Sequence, residues 1–151
     1  MRTLLIHNRS AGSGEWRERD LVAPLEAVGH GITTVTASGK MDFDADGFDL
    51  VAVAGGDGTA RKVLTRMAGS EVPVAIVPIG TANNIARSLG IEQGIGALEK
   101  GWPGSRARRF DLPLASGAWG NMRFVEGFGW GALQSTVTAE LPDTSRQSRE
   151  L

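Results

Sequence analysis

Between Leu50 and Leu64 the sequence reads LVAVAGGDGTARKVL. An apolar run meets Gly55, Gly56, Asp57, Gly58 and Thr59, and a helix-like pattern follows directly. Glycines at a strand end let a ligand approach the backbone, and successive N–H groups there form an anion nest. A helix starting at that point adds its positive N-terminal end. Asp57 cannot hold phosphate, because like charges repel. It can hold Mg2+ or a water on Mg2+, or accept a proton from a hydroxyl. A phosphate cradle beside a carboxylate is what metal-assisted phosphoryl transfer needs. No Walker A sequence occurs, so the chain is not a P-loop NTPase. Taken alone, the motif also fits a tight turn whose aspartate caps the next helix.

A second junction repeats the layout. In IVPIGTANNIARSLGI (residues 76–91) an apolar strand runs into Gly80 and Thr81, then polar residues, then a helical pattern. Thr81 can cap that helix or hydrogen-bond a phosphate, and Asn83 and Asn84 can act as uncharged polar ligands. Two such junctions on consecutive strands are expected to face one crevice. That makes Gly80, Thr81 and Asn83 ligand candidates beside Gly55–Thr59.

The elements that must position these turns follow from the patterning. Apolar runs predict strands over 3–8, 32–37, 50–56 and 72–79, the third apolar throughout, as in a parallel sheet buried on both faces. Helical spacing predicts helices over 15–28, with Trp16, Leu21, Leu25 and Val28 on one face, over 59–67 and over 81–90. IGALEKG (95–101) suits a further short helix. This alternation predicts a doubly wound α/β fold, a mainly parallel sheet with helices on both faces. After Pro103 the pattern changes toward antiparallel strands, in RARRFDLPLA and NMRFVEGFGWG. The expected organisation is a nucleotide-binding domain over 1–103 and the start of a β-rich second domain over 104–151. Residues 132–141 suit a helix, and the polar tail 142–151 has nothing to pack.

Composition narrows the classes. The formal net charge of −1 gives no general attraction to nucleic acid or anionic membrane, so anion binding must be local. With no cysteine, disulfides and thiolate metal sites are excluded, which suits a reducing cytosol. The apolar runs are too short to span a bilayer. Glycine, at 21 of 151 residues, is used about twice as often as average. His7 and His30 have no spacing for a metal site and read as structural. Core packing is the expected role of Trp102, Trp119 and Trp130, and a solvated strand edge that of RARR (106–109).

GGDGT followed by PIGTANNIARSLGI closely resembles the catalytic domain of diacylglycerol kinases and bacterial lipid kinases. That group is related to sphingosine kinases and, more distantly, to NAD kinases. The opening strand and turn, IHNRSAGSG, fits the same pattern, and the likeness continues more loosely through residues 110–135. The resemblance implies ATP and Mg2+ as nucleotide and metal, and a lipid hydroxyl as acceptor. It also implies a cytoplasmic protein working at the inner membrane face. ATP-phosphate contacts carry over to Gly55, Gly56, Asp57, Gly58, Thr59 and Ala60, and nucleotide contacts to Thr36 and Thr81. Asn8 falls where the first strand meets the cleft, and Asp57 is the catalytic and metal-holding candidate.

Two departures stand out. The family commonly has Asn-Glu where this chain has Arg61-Lys62. In the first turn of a helix expected to start at Thr59, two cations would oppose the dipole by about 0.3–1 kcal/mol each. Either Arg61 turns toward the polyphosphate or both cations lie on a solvated face. The family's Asp-Gly-Glu-type segment, which supplies the proton-accepting carboxylate, has no counterpart here. The 151 residues are therefore expected to bind ATP with little turnover, either as a fragment of a longer lipid kinase that carries the base elsewhere or as a remnant that lacks it. An NAD kinase-like enzyme and a non-catalytic nucleotide-binding module are the alternatives. Unpaired strand edges leave a homodimer open.

Overall fold

The computed structural model of the protein describes residues 1–39, 41–99, 107–118 and 120–125. Trp102, Trp119, Trp130, Arg106, the expected helix over 132–141 and the tail 142–151 lie outside the described residues. Four parallel strands form one sheet: β1 (Arg2–His7), β2 (Gly31–Thr36), β3 (Leu50–Gly55) and β4 (Val74–Pro78), in the order β2-β1-β3-β4. His7 pairs with Thr36 on one side and Ala54 on the other, and Gly55 with Pro78, so the carboxyl ends share one rim.

Alternation along the strands supplies two cores, because successive side chains leave opposite faces. Leu4, Ile6, Val51, Val53 and Ile76 pack with Ala60 and Val63 of helix α2 (Asp57–Arg66) and Ile85 of helix α3 (Asn84–Ser88). Leu5, Ala52, Ala54 and Val77 pack on the other face with Leu21 and Leu25 of helix α1 (Glu18–Ala27) and Leu98 of helix α4 (Gly96–Glu99). Leu21 and Leu25 are fully buried, a contribution of about 2 kcal/mol each. The expected doubly wound α/β sheet is thus observed. A separate two-stranded antiparallel sheet, β5 (Leu114–Gly117) with β6 (Gly120–Arg123), follows in the region read as antiparallel.

Three helix boundaries differ from the patterning. Helix α1 starts at Glu18, where Asp20 accepts from the Arg17 N–H at 2.9 Å, and it ends before Val28, which is exposed. Helix α2 starts at Asp57 rather than Thr59. Arg61 and Lys62 therefore lie beyond the first turn, and Asp57 occupies the dipole-favoured end instead. Helix α3 is only five residues long, because Asn83 stands in the left-handed region (φ 51°) and holds the preceding loop. No helix among the described residues is long and apolar enough to cross a membrane.

Candidate functional site

The winding of the sheet reverses between the parallel strands β1 and β3, since β1 is followed by β2 on one side and β3 by β4 on the other. Open α/β sheets take ligands at such a switch point, outside the carboxyl ends of the strands. Asn8 leaves β1 there, and Gly55-Gly56 leave β3. The Asn8 N–H donates to the Ala54 carbonyl at 2.9 Å. Its side-chain Nδ2 donates to Thr59 Oγ1 at 2.9 Å, and its Oδ1 accepts from the Ser10 N–H at 3.1 Å. With both ends engaged, Asn8 clamps the two sides of the crevice together.

The glycine turn is close-packed on itself. A Cβ on Gly55 would stand 2.7 Å from Thr59 Cβ, so Gly55 is required by the buried Thr59 rather than by a ligand. The Gly56 carbonyl accepts from the N–H groups of Thr59 and Ala60, both at 3.0 Å. Expected among the nucleotide contacts, Ala60 has its side chain in the core and its N–H occupied, so it offers a ligand neither. What remains open is the very start of α2. The Asp57 and Gly58 N–H groups have no intrahelical acceptor, and a Cβ on Gly58 would meet nothing within 4 Å among the described residues.

The second turn meets the first, as expected from the sequence. A Cβ on Gly80 would lie 2.3 Å from Gly56 Cα and 2.8 Å from Asn83 Oδ1. The two backbones are in contact, and glycine is obligatory on the β4 side. Asp57 crosses the same gap, with Oδ1 accepting the Ile85 N–H at 2.9 Å. The carboxylate thus caps a helix, but the neighbouring α3 rather than its own. Asn83, read as a polar ligand, is buried and turned inward. Its Oδ1 accepts from the Gly80 N–H at 3.0 Å, and its Nδ2 reaches Gly80 O and Gln93 Oε1, each at 2.7 Å. It builds the loop that presents Thr81, which is exposed and makes no hydrogen bond among the described residues.

Two hollows flank this junction, and the glycine turn after β3 lines neither. One, about 570 Å3, is bounded by Gly12, Trp16, Ile79, Gly80, Thr81 and Gln93. Gly12 is held by a close approach, since a Cβ there would sit 2.6 Å from the Ile79 carbonyl oxygen. The glycine-bearing RSAGSG turn signalled this loop, but the share taken by Trp16 and Gln93 was not legible. The other hollow, about 500 Å3, is lined by Arg61 together with Lys62, Thr65 and Arg123, and shares no lining residue with the first. Thr36 is exposed at the end of β2 and lines neither. With β1 between them, it stands about 10 Å from the end of β3.

Beneath the rim, His7 is buried and neither ring nitrogen has a hydrogen-bond partner among the described residues. Burial pushes its pKa down, and Arg9 adds to this. Glu18 opposes it, and so, at a geometry short of a hydrogen bond, does the Trp16 backbone. Glu18 itself is held below the usual carboxylate range by Thr34 and Arg9, which donate to it at 2.8 and 2.9 Å. Among the described residues no group of three or more His, Asp or Glu side chains converges as a metal site. Any cation at the turn would have Asp57 as its protein carboxylate and draw its other oxygens from ligand and water.

Residues 2–112 match the model of the diacylglycerol kinase catalytic domain. A diacylglycerol kinase of Mycobacterium tuberculosis (strain ATCC 25618 / H37Rv) is 45% identical over 47 residues, covering 31% of this chain and 15% of that protein. A diacylglycerol kinase of Bacillus subtilis (strain 168) is 30% identical over 101 residues, covering 60% of this chain and 33% of that one. The crystal structure of a diacylglycerol kinase from Bacillus anthracis str. Sterne superposes with a TM-score of 0.53 at 30% identity, covering 66% of this chain and 38% of that one. The chain therefore spans a third or less of the length of these curated relatives. Its parallel sheet, its two abutting glycine turns and a match running over most of the sequence lead to one assignment: the chain belongs to the diacylglycerol kinase catalytic domain family.

Proposed function

We propose that residues 1–103 form the nucleotide-binding domain of a lipid kinase that transfers the ATP γ-phosphate to a lipid hydroxyl with Mg2+, and that residues 104–151 begin its second domain. The observation that carries this reading is the contact between the two glycine turns at the switch point, with Asp57 spanning them. The Asp57 and Gly58 N–H groups supply donors for phosphate oxygens, strengthened by the α2 dipole. Thr81 adds a hydroxyl from the facing loop. The Asp57 oxygen not used by Ile85 is available to Mg2+ or, alternatively, to the proton of an acceptor hydroxyl. Mg2+, when bound, draws negative charge off the transferring phosphoryl group.

In the reaction the acceptor oxygen bonds to the γ-phosphorus, the bond from phosphorus to the β,γ-bridging oxygen breaks, and ADP departs. The acceptor proton goes to a carboxylate. The lipid acceptor would be met at a membrane surface, by a part of the protein beyond this nucleotide half. Calorimetric titration of the chain with Mg·ATP tests the reading. Saturable binding that weakens at least about tenfold without Mg2+, or with Asp57→Asn, is expected. A featureless titration of the folded wild-type chain would remove the nucleotide from this site.

A further inference from the structure

The hollow beside α2 has a composition that the nucleotide reading leaves unexplained. Arg61, Lys62, Thr65 and Arg66 line it from one helix face, where residues three and four apart are neighbours. Arg123 reaches it from β6, so the cluster is assembled by folding and is not a run of basic residues. No carboxylate lines it among the described residues. Arg66 is compensated: it pairs with Asp42 at 2.7 Å, donates to the Phe43 carbonyl and lies over the Phe43 ring. The other three cations are not. Among the described residues Arg61 has no hydrogen bond or ion pair, Lys62 only a long 3.4 Å bond to the Gly39 carbonyl, and Arg123 only a 3.3 Å bond to the Leu112 carbonyl.

Like charges at this spacing repel and weaken a helix, and Lys62 and Arg66 stand four residues apart. In a chain of net charge −1, three uncompensated cations around one concavity make a local positive field. The geometry points to a second anion site. This hollow takes a phosphoryl group, held by Arg61 and Arg123 through paired N–H donors, with Lys62 as a point charge and the Thr65 hydroxyl as a further donor. Its volume of about 500 Å3 admits the phosphoryl group together with the moiety that carries it. That phosphoryl group belongs either to an acidic phospholipid headgroup or to a free phosphate compound. The site is independent of nucleotide at the glycine turn.

Two arms, both without nucleotide or Mg2+, test this with the 151-residue chain. In one, inorganic phosphate is titrated and binding is read by calorimetry. In the other, the protein is sedimented with phosphatidylcholine vesicles that either contain or lack phosphatidylglycerol. Saturable binding in at least one arm is expected, and which arm responds identifies the source of the phosphoryl group. Arg61→Ala and Arg123→Ala should each weaken it about five- to tenfold, and raised salt should weaken it further. Arg61→Lys, which keeps the charge and loses the fork, should fall between. Both arginines are exposed, and Arg61→Gln and Arg123→Gln serve if an alanine variant misfolds by circular dichroism. Absence of binding in both arms overturns the assignment, as does binding of unchanged strength in folded variants of both positions. Because neither arm contains ATP, a failure here is separable from a failure of the nucleotide reading.

Discussion

After β3 the chain passes through Gly56 straight into a ten-residue helix, whereas after β4 it winds through residues 79–83 before a five-residue helix begins. Both turns carry glycine and threonine at the same rim of the same sheet. In the first, Thr59 is buried, Asp57 is half-buried and Gly58 is exposed, and the N–H groups of Asp57 and Gly58 have no intrahelical acceptor. In the second the threonine, Thr81, faces outward, while the polar residue Asn83 is buried and hydrogen-bonded within its own loop. Asp57 links the two by capping α3. One turn thus offers its backbone and the other a side chain, and each is held in place by the other.

The sharpest way to break that mutual support is Gly80→Ala. The added Cβ would be placed 2.3 Å from Gly56 Cα, which is backbone and cannot swing aside. A loss of about 3 kcal/mol is expected in urea denaturation, at the upper end for overpacking. Gly58→Ala is the matching control, because its Cβ would meet nothing within 4 Å among the described residues and α2 gains a better helix former. There stability should rise by about 0.5–1 kcal/mol while Mg·ATP affinity falls. Equal effects of the two substitutions on stability would mean that the turns do not abut as described.

Next in size is the link itself. Asp57→Ala removes the acceptor for the Ile85 N–H, and about 1–2 kcal/mol should be lost, the usual range for a deleted cap. Asp57→Asn keeps an oxygen acceptor and should retain most of that stability while losing Mg2+-dependent nucleotide binding. If the asparagine variant is destabilised as much as the alanine variant, the charge rather than the hydrogen bond supports α3.

How far these features could be read beforehand depends on where their causes lie. Strand β3 was legible because every residue from Leu50 to Gly55 is buried, so its apolar run reports directly on its surroundings. That the two turns share a crevice followed from strand order and glycine placement. The start of α2 at Asp57 was not legible, since Asp and Gly are poor helix formers whose placement is decided by capping geometry. Helix α3 was overextended for a similar reason. It begins only after Asn83, whose left-handed backbone is held by bonds to Gly80, three residues back, and to Gln93, ten residues on, and what caps it is Asp57, 28 residues away. Gln93 and Asp57 both lie outside the span of a helical period. The same reasoning explains Arg61: nearby sequence shows a cation after the glycines, but only the packing of β6 reveals that it shares a hollow with Arg123.

A smaller asymmetry lies beneath the turns. The first adjoins His7 through the pairing of His7 with Ala54, and the second has no titrating neighbour of this kind on β4. Burial lowers the His7 pKa, so the folded chain prefers the neutral ring. In the unfolded chain histidine takes up its proton near pH 6.5. As pH falls below that value the unfolded state binds protons first and stability declines, until the lowered folded value is passed. His30, also lowered chiefly by burial, acts with the same sign, whereas the depressed Glu18 matters only below its ordinary value of 4.5. Between about pH 6.5 and 5 the slope therefore belongs to the histidines. His7→Leu removes two ring nitrogens that have no hydrogen-bond partner among the described residues, and at pH 7 it should be neutral or stabilising by about 1 kcal/mol. It should also flatten denaturation midpoints across that window, leaving only the His30 share. A variant that kept the full wild-type slope would place the proton-linked instability away from the first turn.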